Sequence, residues 1–230
     1  MPLALAVLLA TLAFAASPLF VPDFGGFDAD QFPIPQDDPP VQPAGYAFAI
    51  WGLIYLWLLI SAGFGVAARA RAHDWAPMRP WLLASLVVGA AWLAVAVRSP
   101  VWAAVLIWLM LITALIALAR APRGDLAWAA WPVGLYAGWL SAASVVALGL
   151  LAAGYGLMSG VAAGYAGIAV ASVLAFAVQW RLGRAPTYGA AAIWALVAVA
   201  VQNGGEAGLV AAALAGAGLV AVPTVQAARA

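Results

Sequence analysis

The sequence has no cysteine and no lysine, a single histidine and few charges of either sign. Without cysteine there is no disulfide, no thiolate metal site, no iron–sulfur cluster and no thiol nucleophile. Without lysine there is no Schiff base for retinal. His73 stands alone among arginines, so it builds neither a bis-histidine haem site nor a multi-histidine metal site. Charged residues make up 7% of the chain, against about 25% in an average soluble domain. So few charges cannot give 230 residues a polar skin, and 67% of the residues are hydrophobic. The solvent for most of this surface is therefore lipid. The net charge of +1 gives no electrostatic case for nucleic acid. Gly-x-Ser-x-Gly, a phosphate loop and paired intramembrane carboxylates are also missing. No nucleophile has a base beside it, which argues against an enzyme.

What is present is a series of apolar runs. Eight are expected to cross the bilayer as helices, at 3–21, 45–68, 80–97, 101–119, 126–152, 159–180, 188–203 and 207–225. None alternates polar and apolar residues as a barrel strand does. The fold class is an all-α integral membrane protein. With the N-terminus inside, Arg69, Arg71, Arg79, Arg120, Arg123, Arg181, Arg184 and Arg229 share the cytoplasmic side, and only Arg98 lies outside. That is the positive-inside pattern for eight spans with both termini cytoplasmic, as in a bacterial inner membrane. The first run also has the length of a signal-peptide core, with Ala13-Phe14-Ala15 as a cleavage-like site. It carries no basic n-region and reads as a retained helix; cleavage would leave seven spans.

Residues 21–44 form the one substantial loop, with five Asp, six Pro and no base. Its prolines forbid a regular helix. It is either a solvated linker or a lid over a pocket on that face. The spans carry no mid-membrane charge, so a proton relay or ion channel has no material here. Twelve tryptophans remain. Trp75, Trp81, Trp102, Trp128, Trp131 and Trp180 lie near span ends and suit an interfacial belt. Trp51, Tyr55 and Phe48 share one helix face by their spacing, and Tyr136 and Trp139 share another. Two such faces suit helix packing or a flat apolar ligand. Gly134-x-x-x-Gly138 and Gly160-x-x-x-Gly164 predict tight helix packing. A homodimer through small-residue faces is compatible with the Ala/Gly-rich tail.

The run Pro40-Val41-Gln42-Pro43-Ala44-Gly45-Tyr46-Ala47-Phe48-Ala49-Ile50-Trp51-Gly52-Leu53-Ile54-Tyr55 resembles the start of the second helix in the TspO/translocator-protein family, the tryptophan-rich sensory proteins. Leu135-Tyr136-Ala137-Gly138-Trp139-Leu140 is similar to that family's fifth-helix motif, and Trp92 and Trp102 fall where its third helix carries a tryptophan and its fourth begins. The resemblance covers residues 1–152, a five-helix bundle with the 21–44 loop; 153–230 then add three Ala/Gly-rich helices. Gly89 and Ala90 replace an asparagine usual in the family, Leu135 replaces a proline, and Val145-Val146-Ala147 replaces a second asparagine.

The resemblance implies a receptor or translocator with a sensory role. It would bind a tetrapyrrole such as protoporphyrin or haem, or a sterol-like lipid, with no cofactor required. It also implies Trp51 and Trp139 as pocket indoles, Tyr55, Tyr136 and Trp92 as walls, and Pro40, Pro43 and Tyr46 as a lid hinge, with Phe48 beside them. A small-solute or lipid transporter, in which the last three helices complete a path, is the alternative. Broken helices would mark it, and Gln202-Asn203-Gly204-Gly205 is the one stretch resembling a break. An interaction subunit is a further reading.

Overall fold

A computed structural model describes residues 1–21 and 25–229; Pro22 and Asp23 of the acidic loop lie outside the described residues. Those residues hold eight α-helices and no strand: α1 Pro2–Ala16, α2 Ile50–Ala67, α3 Arg79–Ala96, α4 Pro100–Ala119, α5 Ala130–Gly154, α6 Gly160–Leu182, α7 Thr187–Gln202 and α8 Ala207–Arg229. Seven are long and apolar enough to cross a membrane. The exception, α7, has 16 residues and is about 24 Å long, short of the roughly 30 Å hydrocarbon core.

Local chemistry sets the helix ends. Proline occupies the first turn of α1, α3 and α4, where no N–H is needed. The hydroxyls of Ser99 and Ser159 cap α4 and α6 by accepting from Trp102 N and Ala162 N. Gly183 ends α6 in the left-handed region at φ 58°. The first span stops being α-helical at Ala16, just before Pro18, and continues as a 3-10 turn over Ser17–Leu19. The second span likewise begins as a 3-10 turn, Gly45–Ala49.

Helices α1, α2, α5, α4 and α3 close a ring, each packed on the next. Helix α5 belongs to this ring and also carries α6 and α7 on its other side, with α8 against α6 and α7. It is buried along most of its length, as an axis shared by two bundles must be. Two hydrogen bonds pin it inside hydrocarbon. Ser85 Oγ donates to Met110 O, so it accepts from the Tyr136 hydroxyl at 2.9 Å. Ser141 Oγ donates to Ala137 O and accepts from the Tyr188 hydroxyl at 2.9 Å. The small-residue pattern of α5 has its expected use: a Cβ on Gly138 would run into the carbonyl of Tyr188, so α5 and α7 meet backbone to backbone there.

The end of the molecule away from the long loop holds all the arginines but Arg98. Arg69 pairs with Asp125 through Nε–Oδ2 at 2.7 Å and Nη2–Oδ1 at 3.1 Å. Trp75 Nε1 donates to the same carboxylate at 2.9 Å. These two donors hold the Asp125 carboxyl below its ordinary range, the Arg69 hydrogen bond first. Trp75 is thus buried, not part of an interfacial belt, while Trp102, Trp128 and Trp180 are exposed as a belt requires. Arg184, between α6 and α7, donates to the carbonyls of Leu118, Ala119 and Ala121 at 2.9–3.0 Å. It satisfies the free carbonyls at the end of α4 and ties the last three helices to the ring.

Candidate ligand chamber

The opposite end of the ring is hollow. A cavity of about 720 Å³ lies between α1, α2, α3, α4 and α5 beneath the long loop. Its walls are Phe14, Ala15, Pro18 and Val21 from the first span, Phe48, Trp51, Gly52 and Tyr55 from the second, Gly89, Trp92 and Leu93 from α3, Ile107 and Met110 from α4, and Trp139 and Ala143 from α5, with Gly25 at the rim. A side chamber of about 60 Å³ opens between α5 and the loop, walled by Gly26, Phe27, Gln42, Pro43 and Leu150 among others; it shares Phe48, Trp92, Ile107, Trp139 and Ala143 with the larger one.

The rings are held by one another. Trp51 stacks on Tyr55, centroids 5.4 Å apart and planes at 20°. Trp139 meets Trp51 edge to face at 6.3 Å and Phe48 at 5.8 Å. Phe14 lies edge-on to both Trp51 and Tyr55, at 5.8 and 5.1 Å. Trp92 Nε1 donates to Ala103 O at 2.9 Å, which fixes its ring across the α3–α4 contact. The Trp139 indole N–H is buried and meets no acceptor among the described residues. A donor left so costs about 1–3 kcal/mol, which an acceptor brought by a ligand would recover.

The loop is docked on the helix ends rather than free in solvent. Gln31 Nε2 donates to Ala96 O and Ile34 N to Gly154 O, at the ends of α3 and α5. Val41 is buried in a groove made by Gly149 of α5 and Gly167 of α6. Ala44 N donates to Ala198 O at 3.1 Å, Asn203 Nδ2 to Pro40 O at 2.9 Å, and Trp194 Nε1 to Ala47 O at 3.0 Å. All three partners are on α7 or at its end. A solvated linker would make none of these bonds; this segment is a roof clamped by the C-terminal helices.

Five of the nine residues singled out by sequence come together in the chamber wall: Phe48, Trp51, Tyr55, Trp92 and Trp139. Pro43 reaches the side chamber. Three stand apart. Tyr136 is fully buried below the cavity, bonded to Ser85 and packed against Phe14 at 5.6 Å. Tyr46 faces outward, edge-on to Trp194 at 5.4 Å. Pro40 packs on Gly164 of α6. Sequence reasoning missed Phe14, Gly89 and Met110. For one of them a signal was present in the Gly89-Ala90 departure from the resemblance: a Cβ at Gly89 would fall 2.7 Å from the Phe14 ring, so the space beside Gly89 is taken by Phe14.

Fold and chamber together define an α-helical integral membrane protein with a roofed, aromatic, ligand-sized cavity. The particular family follows from the sequence as a whole: a family model described as TSPO-like protein matches residues 30–226, and the chain belongs to that family. The match begins within the roof and runs through α6 and α7 into α8. No curated protein and no solved structure matches the chain.

Proposed function

We propose that the protein is a membrane receptor or translocator-type sensor that binds a flat or rigid apolar molecule, tetrapyrrole- or sterol-like, in the chamber under the roof. The observation that carries this reading is the 720 Å³ cavity walled by Phe48, Trp51, Tyr55, Trp92 and Trp139. Its volume falls within the roughly 300–1,000 Å³ of small-molecule sites. Stacking on such rings contributes about 0.5–1.5 kcal/mol per ring beyond burial. The macrocycle of a porphyrin suits these walls, and the unpaired Trp139 N–H offers one directional contact. The arginine-rich end faces the cytoplasm and the roof faces outward, as the positive-inside rule requires. A ligand that reaches the chamber replaces roof–wall contacts with its own and so changes how firmly the roof is held, which is the event a sensor would transmit.

The test is energy transfer from tryptophan to porphyrin in the purified protein, titrated with protoporphyrin IX and with its dimethyl ester. At least one should saturate, and binding should weaken severalfold in Trp51→Phe and Trp139→Phe. Signals that rise linearly and identically in all three proteins would mean partition into the micelle and would refute the reading.

A further inference from the structure

We infer that the chamber selects an uncharged ligand, one whose polar groups are ester, ketone or hydroxyl oxygens, and rejects the carboxylate form of the same skeleton. This rests on the binding reading above and narrows its ligand class. Among the described residues, neither the main cavity nor the side chamber has a charged side chain in its wall. Of the nine arginines, Arg98 alone lies at the roof end; it is exposed, lines neither chamber and donates through Nη1 to its own helix at Ala94 O, 2.7 Å away. A carboxylate drawn into the cavity would be buried without a counter-charge, which is far costlier than burying an ester.

The donors that are present are neutral. The indoles of Trp57, Trp75, Trp92 and Trp194 donate to protein groups, whereas the buried Trp139 indole, in the cavity wall, meets no acceptor among the described residues. A neutral indole N–H recognises a carbonyl or hydroxyl oxygen and supplies no net charge.

The rim opposes anions as well. Gly25, Gly26 and Phe27 line the two chambers, and the roof continues through Asp28, Asp30, Asp37 and Asp38, all exposed. The one ion pair among the described residues, Arg69–Asp125, is at the other end of the molecule, so these four carboxylates stand uncompensated. A dicarboxylic porphyrin would either bury its acids in the aromatic chamber or push them toward like charge. Its dimethyl ester presents the same macrocycle and meets neither obstacle.

The experiment compares protoporphyrin IX with protoporphyrin IX dimethyl ester on the full chain in a neutral detergent, with empty micelles as the partition control. The ester should bind at least tenfold more tightly at low salt, with the gap narrowing as salt screens the rim. Gly25→Arg places a cation at the rim, where an added Cβ meets nothing within 4 Å and φ is not positive; the acid-to-ester affinity ratio should rise several-fold. Asp28→Asn/Asp30→Asn, outside the chamber walls, should strengthen the acid and leave the ester unchanged. Free acid binding as tightly as the ester in the unmodified protein would overturn the inference and leave the binding reading intact. Saturable binding of neither compound would overturn both.

Discussion

Removing two side chains that hold the roof should loosen it by a calculable amount. Asn203→Leu deletes the donor to Pro40 O with little change of volume, and Trp194→Phe deletes the donor to Ala47 O while keeping a ring against Tyr46. A hydrogen bond of this kind has a net worth of about 1 kcal/mol. The two sites touch the roof at different residues, so their effects should add to about 2 kcal/mol. At about 1.4 kcal/mol per tenfold, the roof-open population rises about fivefold in each single variant and about 30-fold in the double. The reporter is the amide of Ala44, whose bond to Ala198 O breaks when this stretch lifts. Hydrogen exchange at Ala44 should accelerate by those factors, while amides in the middle of α3 and α4 exchange as before. A bound porphyrin should leave the double variant faster by a similar factor. Unchanged exchange at Ala44 in a folded double variant would refute the clamp.

Two further predictions concern the framework. Gly138→Ala should cost about 2 kcal/mol of stability, because the added methyl meets the Tyr188 carbonyl and neither backbone can rotate away; Gly63→Ala, where an added Cβ has nothing within 4 Å, should gain a few tenths. Equal thermal stability of the two variants, followed by size-exclusion after heating, would contradict the α5–α7 contact. The Asp125 carboxyl, held low by Arg69 and Trp75, stabilises the fold fully above its unfolded value of about 3.9, and that stabilisation is lost as pH falls through the lower folded value. The difference in melting temperature between the unmodified chain and Asp125→Asn should therefore be constant near neutrality and shrink only below about pH 4. A difference that already shrinks between pH 7 and 5 would assign the effect to another group.

The helices were legible because hydrocarbon leaves the backbone one option, and the arginines marked which ends lie together. Phe48, Trp51 and Tyr55 were found by helical spacing, since that face turns into the ring. Tyr46, expected at the lid hinge, lies outside the chamber wall because 45–49 winds as a 3-10 turn, which rotates it away from Phe48 and toward α7. Tyr136 shares a helix with Trp139, yet its hydroxyl had a partner in Ser85, 51 residues earlier, and no local pattern announces such a pairing. Trp75 was read as interfacial for the same reason, its partner Asp125 being 50 residues away. The docked roof was the least visible part. Its aspartates and prolines look like a linker, and the groove that takes Val41 is assembled from glycines on two other helices.

The roof's anchors also set an order of events during synthesis. Pro40 and Asn203 are 163 residues apart, and Ala47 and Trp194 are 147 apart. At roughly 5–20 residues per second, the ribosome needs on the order of ten to thirty seconds to deliver α7 after the roof has emerged. Through that interval the five-helix ring can already stand in the membrane with its roof held at the ends of α3 and α5 by Gln31 and Ile34 but without the clamp over Pro40 to Ala47. The arrival of α7 is therefore the step that completes the roof, and a chain truncated before α7 should keep the aromatic walls and lose that clamp.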